Sequence, residues 1–108
     1  MPLDYHALSN WVFEDVSQTL TERDTMLYAL GLGFGEDPTD GRELAYVYED
    51  GLVAVPSMAV TLGYPGFWLR DPRTGVDWKK VLHGEQWLDV YKPLPVKGEL
   101  IGRTRIDQ

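Results

Sequence analysis

His83 and Glu85 lie either side of Gly84 in the run VLHGEQWLDVYKPLP, residues 81–95. An imidazole and a carboxylate are the side chains that most often move protons at a reacting centre. On a regular strand both point to the same side with α-carbons about 6.5–7 Å apart, within reach of a shared ligand or of each other. The same spacing also reads as a cross-strand hydrogen-bonding pair or a solvated edge. Gly84 adds a hint, since a glycine inside a strand marks a bulge or a close backbone approach by a ligand.

Other chemistries have less material. The serines are Ser9, Ser17 and Ser57, none in a G-x-S-x-G turn, and His6 and His83 are the only imidazoles, so a nucleophile–base–acid arrangement is not expected. A metal site needs three or four converging ligands, and two histidines far apart with no cysteine do not supply them. The glycine-rich GLGFG of residues 31–35 ends a helical pattern rather than opening one. The helix dipole there is wrong for phosphate, and helix termination is the plainer reading.

The elements that must hold His83 and Glu85 follow from pattern. If 81–91 is a strand, Leu82, Gly84, Gln86, Leu88 and Val90 face one side, ready to pack on a helix; Val81, His83, Glu85, Trp87, Asp89 and Tyr91 face the other. A further strand is expected at 98–107, after KPLPVKG, whose prolines cannot donate to a ladder. Residues 11–21 read as an edge or half-buried strand. Thr21 with Asp24 three positions on makes a capping-box variant, and Met26, Ala29, Leu30 and Gly33 keep helical spacing to the glycines. Residues 35–43 read as loop, 44–49 as a short extended run and 71–75 as a turn. A second helix starts at Pro56 and stops at Gly63; its run of Met58, Ala59, Val60 and Leu62 is apolar on nearly every side, which predicts central burial.

Bulk properties bound the rest. A chain of 108 residues with 44% hydrophobic and 25% charged residues has the composition of one globular domain. Ten Lys and Arg against seventeen Asp and Glu give a net charge of −7, which disfavours nucleic acid and anionic membranes as partners. The lack of cysteine, of a basic apolar leader and of an eighteen-residue apolar run predicts a soluble, cytoplasmic protein without disulfides.

Four stretches carry a resemblance: RDTMLYALGLGFG (23–35), LAYVYEDG (44–51), VPSMAVTLG (55–63) and above all KVLHGEQWLDVYKPLPVKGEL (80–100). In that order they resemble the amino-terminal half of the (R)-specific enoyl-CoA hydratase 2 enzymes, the MaoC-like dehydratases. The block at 82–95 is specific: His83, Gly84, Glu85, the aromatic Trp87, Tyr91, Lys92, Pro93 and Pro95 all coincide with the pattern.

The resemblance implies an α+β hot-dog fold, an antiparallel sheet wrapped around a central helix that is best matched here by 56–63. It implies an acyl-CoA thioester as substrate, no cofactor, and reversible hydration in fatty-acid or polyhydroxyalkanoate metabolism. It places His83 and Gly84 at substrate-contacting positions and Glu49 at a position that activity requires; Tyr28 and Glu85 are weaker substrate-binding candidates. Catalytic residues are expected elsewhere, because the family's G-D-x-N-P-x-H signature belongs to its carboxy-terminal half and is missing from this sequence. The Asp-Pro of FGEDPTDG (34–41) is too little to transfer those roles to Asp37 or Asp40. The phosphates of CoA would look to Lys79, Lys80, Lys92, Arg103 and Arg105, each by default a solvated cation.

About three of the five strands of a hot dog can be found, so the fold is expected to be incomplete within this chain. A second hot-dog half, a complementary chain or homo-oligomerisation would finish it. The competing readings are a non-catalytic acyl-CoA-binding or protein-interaction module, and a small thioesterase using Glu49 or Asp50.

Overall fold

The computed structural model describes residues 3–107 and is a small α+β arrangement built on a two-stranded antiparallel sheet. In chain order come α1 (Tyr5–Ser9), β1 (Val16–Leu20), α2 (Glu22–Gly31), α3 (Gly41–Leu44), 3₁₀ helices at Pro56–Thr61, Trp68–Arg70, Pro72–Thr74 and Trp78–Lys80, and β2 (Gly98–Gly102). β1 pairs with β2 from Val16 opposite Gly102 to Leu20 opposite Gly98.

α2 starts where the sequence predicts. The Thr21 hydroxyl accepts from the Asp24 amide at 3.1 Å and the Asp24 carboxylate accepts from the Thr21 amide at 2.9 Å, so two otherwise unpaired amides are satisfied reciprocally. The helix ends as the glycines arrive. Its inward face is Thr25 and Ala29, both fully buried, whereas Leu30 is half exposed.

The core is small. Leu20, Ala54 and Met58 form its centre, with Tyr28, Leu62, Leu94, Val96 and Leu100 packed around them. Two polar ties fix α2 on it: the Thr25 hydroxyl donates to the Val96 carbonyl at 2.8 Å, and the Tyr28 and Ser57 hydroxyls are 2.9 Å apart. Where the 3₁₀ helix stops, Gly63 crosses Gly102; a Cβ on Gly63 would lie 2.5 Å from the Gly102 α-carbon, and Gly63 has φ +62°. Its amide donates to the Gln18 carboxamide at 2.8 Å, binding the crossing to β1. The radius of gyration is 17.4 Å, against about 13 Å for a compact chain of this length. The elongation follows from how little apolar surface the core gathers.

Four expectations are corrected. Residues 81–91 form no strand, and every residue from 81 to 90 is exposed. Among the described residues β1 and β2 pair only with each other, and 81–91 joins the outer edge of neither. The helix expected from Pro56 is a six-residue 3₁₀ helix, not a long central one; Met58 is buried, but Val60 is 44% exposed because nothing covers its outer side. Residues 44–49 are not extended: Asp40 caps α3, and the amides of Tyr46, Val47 and Tyr48 continue helical turns onto Glu43 and Leu44. The outer strands are shorter than read. Trp11 and Phe13 leave the sheet direction to stack on Trp68, at ring-centroid distances of 5.6 and 5.1 Å, and residues 103–107 run on beyond β2. The turn at 71–75 is present, with Asp71 capping Pro72–Thr74 and Gly75 at φ 68°.

Candidate functional site

The block 80–96 leaves the 3₁₀ helix Trp78–Lys80, crosses solvent, and returns to the core only at Leu94 and Val96. Along the open stretch the His83 Nε2 lies 3.1 Å from the Gln86 Oε1, so the imidazole is oriented by a carboxamide and not by Glu85. Gly84 has nothing within 4 Å of where a Cβ would stand. Its backbone is therefore free for a ligand to approach. Glu85 is exposed beside it.

The other candidates are distributed. Glu49 is exposed in the turn that follows Tyr46–Tyr48. Tyr28 is half-buried and committed to Ser57, so its hydroxyl anchors the core. The structure does not gather Tyr28, Glu49, His83, Gly84 and Glu85 into one pocket; His83, Gly84 and Glu85 remain together as neighbours on one open segment.

What the block does form is a groove at its far end. Val90–Leu94 and Val96 face Tyr46, Leu52, Val53, Ala54 and Pro56 across a space of about 510 Å³. It is mainly apolar, with Lys92 the cation on its wall.

The acidic groups do structural work. The Asp37 carboxylate accepts from the Thr39 hydroxyl and amide at 2.7 and 2.9 Å, and these bonds hold its pKa below the ordinary value. Asp40 is lowered by the Arg42 guanidinium, which it meets at 3.0 Å, and Asp71 by Arg73. Each caps a turn as a stable anion, the opposite of a carboxyl poised to exchange protons.

A second cavity was missed from sequence. About 590 Å³ opens between α1 and the 68–81 segment. Trp11, Phe13 and Trp68 stack beside it, with the Arg73 guanidinium 5.0 Å from the Trp11 ring centroid. The available signal was the spacing of indoles and arginines at 11, 68, 70, 73 and 78, which periodicity within single elements does not reveal.

The family model described as the MFE-2 hydratase 2 N-terminal domain matches residues 18–108. This chain belongs to that family. It is 38% identical to a peroxisomal enoyl-CoA hydratase 2 of Arabidopsis thaliana, over 82% of this chain and 31% of that protein. It is 35% identical to the enoyl-CoA hydratase ChsH3 of Mycobacterium tuberculosis, over 97% of this chain and 38% of that one. It is also 36% identical to the peroxisomal multifunctional enzyme type 2 of Mus musculus, over 78% of this chain and 12% of that enzyme. The chain thus spans between 12 and 38% of the length of these three relatives. No solved structure matches it. The family match includes the whole 80–100 block, so the open segment around His83 belongs to the hydratase 2 N-terminal pattern.

Proposed function

We propose that this chain is the acyl-chain-accommodating, amino-terminal portion of an (R)-specific 2-enoyl-CoA hydratase, which adds water reversibly across a trans-2-enoyl-CoA to give a (3R)-hydroxyacyl-CoA. The observation that carries the proposal is the hydratase 2 family match across 18–108, with its His-Gly-Glu block on an open backbone. In this reading His83 and the unobstructed backbone at Gly84 contact the thioester, with Glu49, Glu85 and Tyr28 as further substrate-binding candidates.

The water-activating acid and base come from a second half. His83 bonds Gln86, and the other described imidazole, His6, lies 3.4 Å from the Asn10 carboxamide; neither has the carboxylate partner that would poise it as a base. Completion of a hot-dog sheet by that second half, or by another copy, would also supply the ladder partner that 81–91 lacks. The same imidazole contacts favour one competing reading, a non-catalytic acyl-CoA-binding module.

Calorimetric titration with trans-2-decenoyl-CoA and a hydration assay together test the proposal. Expected is binding by the chain alone, weakened by His83→Ala, with hydration only after addition of a separately produced hydratase 2 carboxy-terminal half. Turnover by the chain alone would put the reactive pair inside these residues. Binding that no added half converts to turnover would select the non-catalytic module.

A further inference from the structure

The pattern of ion pairs sorts the cations that the sequence offers to phosphate. Arg103 pairs with Asp15 at 3.3 Å, Arg105 with Asp107 at 2.8 Å and Lys80 with Asp77 at 3.9 Å. Arg42, Arg73 and Lys97 are paired as well, with Asp40, Asp71 and Glu22. Among the described residues this leaves Arg23, Arg70, Lys79 and Lys92 of the ten cations without a carboxylate. Arg23 lies on α2 and Lys92 on the groove at 90–96; Arg70 and Lys79 meet at one indole.

That indole is Trp78. The Arg70 guanidinium carbon lies 4.6 Å from its ring centroid and the Lys79 Nζ 5.8 Å from it, while Phe67 meets the ring edge-on at 6.2 Å. A guanidinium over an indole is held there by the ring's quadrupole, and its in-plane N–H groups stay available to an acceptor. Those of Arg70 have none among the described residues. They form the planar fork that takes two oxygens of one phosphate, and Lys79 adds a point charge beside it.

The surroundings do not oppose an anion here, although the chain as a whole carries −7. The Asp71 carboxylate is closed by the Arg73 guanidinium, and Asp77 accepts from the Lys79 amide at 3.3 Å and faces Lys80. A hollow of about 420 Å³ opens alongside, between Pro72, Gly75, Val76 and Trp78. Its size is that of a small-molecule site. An aromatic face and a guanidinium plane are also what a purine stacks on.

We propose that Trp78, Arg70 and Lys79 bind the phosphorylated purine end of a CoA thioester, with Arg70 forking a phosphate, Lys79 beside it and the purine in the hollow at Trp78. The site deepens the acyl-CoA reading above and rests on it. The test is calorimetric titration of the full chain with adenosine 3′,5′-bisphosphate and with trans-2-decenoyl-CoA, for the unaltered protein, Arg70→Gln, Lys79→Gln and Lys92→Gln. Expected is bisphosphate binding that weakens in added salt and falls at least about tenfold in Arg70→Gln. Lys79→Gln should also weaken it, and Lys92→Gln should leave it within about twofold. Decenoyl-CoA should bind more tightly than the bisphosphate and lose affinity in the same two variants.

Decenoyl-CoA binding that neither Arg70→Gln nor Lys79→Gln changes overturns the inference and leaves the acyl-CoA reading standing. Equal weakening by Lys92→Gln also overturns it, since the attraction would then be of general charge and not of this cluster. Bisphosphate binding that depends on Arg70, with decenoyl-CoA bound no more tightly, keeps the nucleotide site and overturns the acyl-CoA reading. Binding of neither overturns both. NMR of the unaltered chain gives the same contrast without a variant: the bisphosphate should shift the Trp78 indole N–H, and shifts confined to Lys92 and its groove would contradict the proposal.

Discussion

Residues 16–31 and residues 81–91 both carry large apolar side chains among polar ones, yet only the first stretch closes on a core. β1 has β2 as a ladder partner, and α2 lies against them with Thr25 and Ala29 buried. The 81–91 segment has neither ladder nor cover: Leu82 is 90% exposed, Trp87 86% and Tyr91 91%. Large side chains on both of its faces stand in water. Residue pattern states what a segment is able to bury; a partner decides whether it does so.

That contrast can be broken most severely at the glycine crossing that locks the ordered region. A Cβ at Gly102 would collide with the Gly63 carbonyl oxygen, backbone against backbone. Gly102→Ala is expected to cost more than about 3 kcal/mol, seen as loss of the β1–β2 signature by circular dichroism and of a cooperative urea transition. Met58→Ala, at the centre of the small core, should cost about 2–5 kcal/mol, read from the midpoint of the same transition. Thr25→Val keeps shape but removes the bond to the Val96 carbonyl, leaving that acceptor short of a donor; about 1 kcal/mol is expected, with faster hydrogen exchange near 96 as the local sign.

Acid sharpens the comparison through Asp24. Its carboxyl is held below the ordinary value of 3.8, first by the Thr21 amide and then by the Thr21 hydroxyl. A lowered folded pKa contributes stability that is complete above 3.8 and is lost as the pH falls through the lower folded value. Urea midpoints measured down this range should fall less steeply for Asp24→Asn than for the unaltered chain. On the open side, Trp87→Ala should change stability by less than about 0.5 kcal/mol despite the size of the indole. A larger loss would mean that Trp87 is packed in solution.

Local chemistry was legible in the sequence where it acts within a few residues. The Thr21–Asp24 box, the proline start at 56 and the turn at 71–75 all appear where spacing and residue type place them. Two failures share one physical origin. A strand at 81–91 and a long central helix at 56–63 each require burial against surfaces that residues 3–107 do not supply, and the pattern of a segment carries no information about whether its partner is present. The failure at 44–49 is of another kind, local and not tertiary: Asp40 caps α3 through the Arg42 amide, and helical turns run on through Tyr48.

At the candidate site, the chemical character of 81–95 and its family were readable. The His83 partner was not: Gln86, three residues on, lies within hydrogen-bonding reach only when the backbone departs from a regular strand. The α1 cleft was equally hidden, because it unites residues from both ends of the chain with the 68–81 segment.

Amide hydrogen exchange read residue by residue measures the division between the two regions directly. The hydrogen-bonded amides of 16–20 and 98–102 should remain protected while those of 81–91 exchange at the rate of an unstructured peptide. Protection across 81–91 equal to that of β1 would show the segment already paired, and would contradict a His-Gly-Glu block that stands open to solvent.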